Sequence, residues 1–193
     1  VTDALTPLAL PTSDDALAWV ETRCDGQLER ARELVAELRD NPPGSAVEVL
    51  QAWNDISLAM GNAASVASLF SEVHPAEPVR TRAETAMQEV QKLDTELGLD
   101  RKLYEVFAAL DADGLDADAT RVLEHTLRDF RRAGVDQDDA TRERIRELNE
   151  KELLVGQDFG RGIRDDVRSI KLTPERLAGM PQDWIEAHPV GED

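Results

Sequence analysis

Apolar residues recur along most of the chain at steps of three and four, the spacing that lays one stripe along an α-helix. Leu17, Val20, Cys24, Leu28, Ala31, Val35 and Leu38 form the first stripe, with Ser13 as its expected N-cap and Asp14 and Asp15 in the first turn. Asn41-Pro42-Pro43-Gly44 ends that helix, because proline neither donates the next hydrogen bond nor fits the turn. Ser45 is placed to cap a second helix whose stripe includes Val47, Leu50, Trp53, Met60, Ala64, Ala67 and Phe70. Gly61, Ala63 and Ala64 carry little side-chain bulk, so another backbone is expected to approach closely there. The helix closes near His74-Pro75, and Pro78 suits the first turn of a third helix, which runs to about Leu97 and stops at Gly98.

Asp100 is expected to cap a short fourth helix carrying Leu103, Val106, Phe107 and Leu110 and ending at Gly114. A fifth spans roughly 116–133, with Ala119, Val122, Leu123, Leu127 and Phe130 inward and Gly134 after it. The sixth starts near Asp136 and is long, its stripe being Ile145, Leu148, Val155, Phe159, Ile163, Val167 and Ile170. Thr173-Pro174-Glu175 opens a short helix that stops at Gly179, and Pro181 to Ala187 makes one or two further turns. No segment alternates with period two for long enough to make a strand, and the short connections favour antiparallel neighbours. The expected fold is therefore all-α, an antiparallel helical bundle of about six main helices. Residues 1–12 are expected as a loose N-terminal segment, 13–172 as the helical domain and 173–193 as short turns leading onward.

Composition supports packed helices. Aromatics are only 4% of the 193 residues while hydrophobic residues are 41%, so the core must be built mainly from Leu, Val, Ile and Ala. Forty acidic residues against 22 basic ones give a net charge of −18, which repels phosphate backbones and anionic lipid. Neither nucleic acid nor a membrane surface is expected as a partner. No run of 18 apolar residues and no charged-then-apolar leader is visible, and the cytoplasm is the expected location. Cys24 is the only cysteine, lies on the first stripe, and reads as a small buried hydrophobe.

Candidate chemistry is sparse. His74, His125 and His188 are the three histidines, and none has another four residues along a helix. Residues 125–129 read His-Thr-Leu-Arg-Asp, so the His-Glu-x-x-His arrangement that seats two imidazoles on one zinc is not met. Asp111, Asp113, Asp116 and Asp118 lack the glycine and glutamate of a calcium loop at its sixth and twelfth positions, where Asp116 and Val122 stand. Gly156, Gly160 and Gly162 follow no strand, and close helix crossing or a local bend explains them better than phosphate binding. No catalytic, cofactor-binding or metal-ligating residue is assigned to this chain.

One order of segments is more specific. After Tyr104 come Thr120-Arg121-Val122-Leu123-Glu124 and Phe130-Arg131-Arg132-Ala133-Gly134. Leu148-Asn149-Glu150-Lys151-Glu152-Leu153 and Gln157-Asp158-Phe159 follow, then Leu177-Ala178-Gly179-Met180-Pro181-Gln182-Asp183. From about Leu50 to Trp184 this resembles the N-terminal helical region of the thimet oligopeptidase and neurolysin family of zinc metallopeptidases. Gly162 departs from the asparagine frequent there, and the family's zinc helix lies beyond residue 193. The resemblance implies a channel wall in a larger helical peptidase fold, zinc in the full-length parent, and short peptides as the parent's substrates. The partner it implies is the catalytic portion of the same protein. A free-standing acidic helical interaction module without enzymatic activity is the alternative, and an unrelated enzyme with a bundle-core site is weaker, since no Glu-x-x-His pattern repeats on the inward stripes.

Overall fold

A computed structural model of the chain describes residues 9–187. Expectations for residues 1–8 and for His188 lie outside the described residues. The fold is all-α, a helical bundle with no strand among the described residues. In order the helices are α1 (Ala16–Asp40), α2 (Ala46–Val73), α3 (Glu77–Gly98), α4 (Arg101–Ala108), α5 (Ala117–Ala133) and α6 (Asp139–Asp165). A 3-10 turn (Pro174–Leu177) and α7 (Gln182–Glu186) follow. The chain divides into two compact units, one running to Gln157 and the other beginning at Asp158.

In the first unit α1 and α2 run antiparallel. Trp19 near the start of α1 stacks on Phe70 near the end of α2, at 5.4 Å, and the Cys24 thiol faces the Ala63 carbonyl at 3.8 Å. Two apolar clusters lie along α1–α3. One is made of Ala16, Val20, Cys24, Ala67, Val79, Ala83 and Ala86. The other continues through Leu28, Leu38, Ile56 and Leu93 to Phe107, Leu123 and Phe130.

The first stripe is buried as expected except at its start, where Ala16 lies inside and Leu17 outside. The helix begins after Asp15, whose carboxylate accepts from the Thr12 hydroxyl at 2.7 Å, so Ser13 is not the cap. Ser45 does cap α2, accepting from the Glu48 N–H at 3.3 Å while its hydroxyl donates to the Glu48 carboxylate at 2.7 Å. The buried face of α2 is Val49, Ile56, Ala59, Ala63 and Ala67, whereas Val47 is exposed and Trp53, Met60, Ala64 and Phe70 are half-buried. Because α1 and α3 both pack on α2, it buries a wide arc, of which the expected stripe was one edge. Gly61 is exposed with open space around it, so close approach belongs to the alanines. By length and composition alone α2 could cross a membrane, yet here that face lines the bundle core.

Gly98 takes no left-handed turn. It is the last helical residue, and a β-carbon on it would stand 3.1 Å from that of Ala133 on α5. Gly134 does take the left-handed conformation (φ 98°), and the Val135 N–H reaches back to the Phe130 carbonyl at 3.2 Å, closing α5 and burying Val135. Asp100 and Asp116 cap α4 and α5, accepting from the Leu103 and Ala119 N–H groups at 3.1 and 2.7 Å. Helix α4 ends at Ala108 rather than Gly114, and beyond it the Asp111 carboxylate binds the Asp113 N–H at 2.9 Å. Val122 of α5 faces outward, 48% exposed, while Leu123 and Phe130 are buried.

Helix α6 departs most from expectation. It starts at Asp139, with Asp138 accepting from the Thr141 N–H at 2.9 Å, and ends at Asp165, so Val167 and Ile170 lie outside it. None of its residues is buried. Leu148 and Val155 are exposed, because a polar face meets α3 instead. Gly156, Gly160 and Gly162 have nothing within 4 Å of where a β-carbon would sit, so they mark no helix crossing among the described residues.

Candidate functional site

A cleft of about 410 Å³ lies between α3 and α6 in the first unit. Gln88, Lys92, Thr95 and Glu96 line it from α3, and Arg146, Asn149, Glu150 and Leu153 from α6. Side-chain amides bridge its walls. Gln88 donates to the Gln157 carbonyl oxygen at 2.7 Å, Gln157 donates to the Glu84 backbone carbonyl at 3.2 Å, and Asn149 donates to the Thr95 hydroxyl at 3.4 Å. Arg146 is held by Glu143 at 2.8 Å. A smaller cleft of about 280 Å³ lies beside it, lined by Trp53, Leu97 and Phe130 together with Asp94, Asp129 and Asn149.

Neither cleft is lined by a histidine or cysteine; amides, carboxylates and the Lys92 ammonium supply hydrogen bonds and charge. The sequence contained a signal for the larger cleft. Arg142, Arg146, Asn149, Leu153 and Gln157 fall at steps of four, three, four and four, a mainly polar stripe roughly a third of a turn from the apolar one. The apolar stripe drew the assignment of the inward face, and only contact with α3 reveals the polar one.

The single-residue candidates are scattered. His74 closes the α2–α3 turn, its Nδ1 accepting from the Ala76 N–H at 3.2 Å and its ring stacked on Phe70 at 5.7 Å. Arg80 donates to the backbone carbonyls of His74 and Pro75 at 2.8 and 2.7 Å, fixing the same turn. His125 is exposed on α5. Among the described residues no three His, Cys, Asp or Glu side chains gather as a metal-holding group. Trp53 sits in an aromatic cluster, 5.4 Å from Phe107 and 5.8 Å from Phe130. Trp19 packs under the Arg23 guanidinium, and Trp184 is part-exposed in the second unit.

Cys24 is wholly buried, and burial pushes its thiol up from 9.0 to about 11 despite the neighbouring Arg82, which pairs with Asp25. A thiol so placed is inert at neutral pH. The unfolded thiol ionises first as pH rises, so the stability contributed by burying it neutral is complete below 9.0 and is lost on passing to about 11. Cys24→Ala is expected to flatten this part of the stability profile, measurable as denaturation midpoints across that range.

No family model matches the sequence. It is 27% identical over 155 residues to mitochondrial intermediate peptidase of Mycosarcoma maydis, covering 72% of this chain and 17% of that protein. It is 26% identical over 156 residues to mitochondrial intermediate peptidase of Rattus norvegicus, covering 78% of this chain and 22% of that protein. The chain is distantly similar to a peptidase. It spans about a fifth of the length of these curated relatives.

Proposed function

We propose that this chain is a non-catalytic, channel-wall segment of a zinc metallopeptidase that hydrolyses short peptides. The observation that carries the reading is the distant similarity to two mitochondrial intermediate peptidases, which runs through most of the chain. The resemblance to the thimet oligopeptidase and neurolysin family, read from the order of segments between Leu50 and Trp184, supports the same assignment. In a peptidase of this kind bound zinc polarises the scissile carbonyl and the attacking water. His74 is tied into a turn and His125 is exposed on α5, so the described residues do not fit a zinc site and take no part in that step. What they offer is shape, with α1–α3 behind a polar cleft that can pair with a peptide backbone through Gln88, Thr95 and Asn149.

The parent polypeptide tests this reading. It is expected to contain His-Glu-x-x-His, to cleave short fluorogenic peptides, and to lose that activity to a chelator and regain it with zinc. The 193-residue chain alone is expected to cleave none. A parent that lacks the motif, or whose peptidase activity a chelator leaves intact, would overturn the proposal. A reading frame closing at Asp193 would favour the acidic helical interaction module instead.

A further inference from the structure

The described residues that line the smaller cleft include two carboxylates, of Asp94 and Asp129, and no lysine, arginine or histidine. The two carboxylates differ. Asp129 of α5 accepts from the Arg128 guanidinium at 2.9 Å, which holds its carboxyl below the usual range. Asp94 of α3 has neither a hydrogen bond nor an ion pair among the described residues. Burial pushes its carboxyl up with no neighbouring cation to offset it, although solvent still reaches the side chain. A cation that displaced the remaining water would be held firmly, since attraction strengthens as water is excluded. Beside this carboxylate the cleft wall is aromatic. Trp53 is half-buried and packed against Phe107 and Phe130 at 5.4 and 5.8 Å, and Trp53 and Phe130 both line the cleft. Rings next to a carboxylate suit a guanidinium, whose flat faces stack on them while its edge donates to the oxygens. At about 280 Å³ the space falls below the usual range for a drug-sized ligand and leaves room for one extended side chain.

We propose that the smaller cleft binds an arginine side chain of a peptide, with Asp94 as its counter-ion and Trp53 as its aromatic wall. A peptide as the source of the guanidinium follows from continuity. Gln91, Thr95 and Asn149 line both clefts, so the side-chain site opens into the larger one, where amides and a hydroxyl can bond a main chain. Lysine is the poorer occupant, because its ammonium neither stacks on a ring nor presents a fork to the carboxylate. The peptide as ligand rests on the reading of the chain as a peptidase wall, whereas recognition of the guanidinium by Asp94 does not.

The test is calorimetric titration of the 193-residue chain with acetyl-Ala-Ala-Arg-Ala-Ala-amide and with its lysine and citrulline analogues. The arginine peptide is expected to bind stoichiometrically, and the citrulline analogue, which keeps the shape and loses the charge, about 10-fold more weakly. Asp94→Asn should weaken the arginine peptide by about 10-fold. Asp118→Asn, exposed at the start of α5, should leave it within about twofold. Because Asp94 has no partner to lose, Asp94→Asn should unfold at an unchanged or higher urea concentration, which separates lost recognition from lost fold. Equal weakening by both substitutions would reduce the binding to diffuse attraction toward the −18 charge and overturn the proposal. So would an arginine peptide that does not bind, or equal affinity for either analogue. N-acetylargininamide binding as tightly as the peptide would overturn the peptide as ligand, since the main chain would then add nothing. A parent that carries the zinc motif and cleaves peptides, beside a chain without this selectivity, would leave the peptidase reading standing and sink the arginine site. Selective binding by a chain whose parent lacks the motif would do the reverse.

Discussion

Truncating Phe107 to alanine is expected to lower the unfolding free energy of the chain by about 3–5 kcal/mol. Phe107 is wholly buried, meets Trp53 edge-on at 5.4 Å and lies 5.7 Å from Phe130. Tyr104 completes the group, 6.0 Å from Phe130. Removing the ring loses its transfer free energy, leaves a cavity whose rigid aromatic walls close poorly, and breaks ring pairings worth about 0.5–1.5 kcal/mol each. The same cluster joins α2, α4 and α5, so its loss should loosen three helices together. Urea denaturation followed by circular dichroism gives the number. Val122→Ala, on the exposed side of α5, should stay within about 0.5 kcal/mol. If both variants fell together within that margin, the aromatic cluster would not be the centre of the core.

Ala63→Leu should act in the opposite steric sense and destabilise by about 1–3 kcal/mol, through overpacking. Ala63 is fully buried, and its carbonyl lies against the Cys24 thiol. Three additional carbons in a close-packed interior force the helices to separate or the new side chain to leave its preferred rotamer. Two neighbours calibrate the result. Ala64→Leu, at a half-buried position, should cost less. Gly61→Ala, in open space within the same helix, should stabilise by up to about 1 kcal/mol. A ranking in which Ala64→Leu is worse than Ala63→Leu would place the α1–α2 contact on a different face.

Most helices were legible from the sequence because caps and breakers act locally. Ser45, Asp100 and Asp116 cap where their spacing indicated, and Gly134 ends α5 as a left-handed residue. Face assignment was less secure where a helix has several neighbours or none. Helix α2 is flanked by two partners, so a seven-position stripe understated its buried arc and misplaced Ala64 relative to Ala63. Helix α6 turns its apolar stripe outward from Leu148 on, with Ile145 instead packed against Gly134, since periodicity records that a helix is amphipathic without saying which neighbour receives the apolar side. The polar stripe of α6 was visible but its partner was not, because the cleft depends on amides meeting across 54 to 73 positions of sequence. The end of α6 at Asp165 was also missed, because Val167 and Ile170 continue the spacing after the helix has stopped.

The two clusters along α1–α3 are filled with different materials, and this difference sets how the bundle breathes. Four of the seven residues of the cluster that holds Cys24 are alanines, whereas the other end gathers leucines and aromatic rings. Alanine removes little apolar area from water, so the end formed by the start of α1, the close of α2 and the start of α3 has less free energy opposing a brief separation. Motion there need not disturb the aromatic end. Cys24 is the group such an opening would deliver to solvent, as a thiol that is silent while the helices are shut. The rate at which a thiol reagent labels it is then a clock for the opening of one end of the bundle, running faster than the unfolding of the whole.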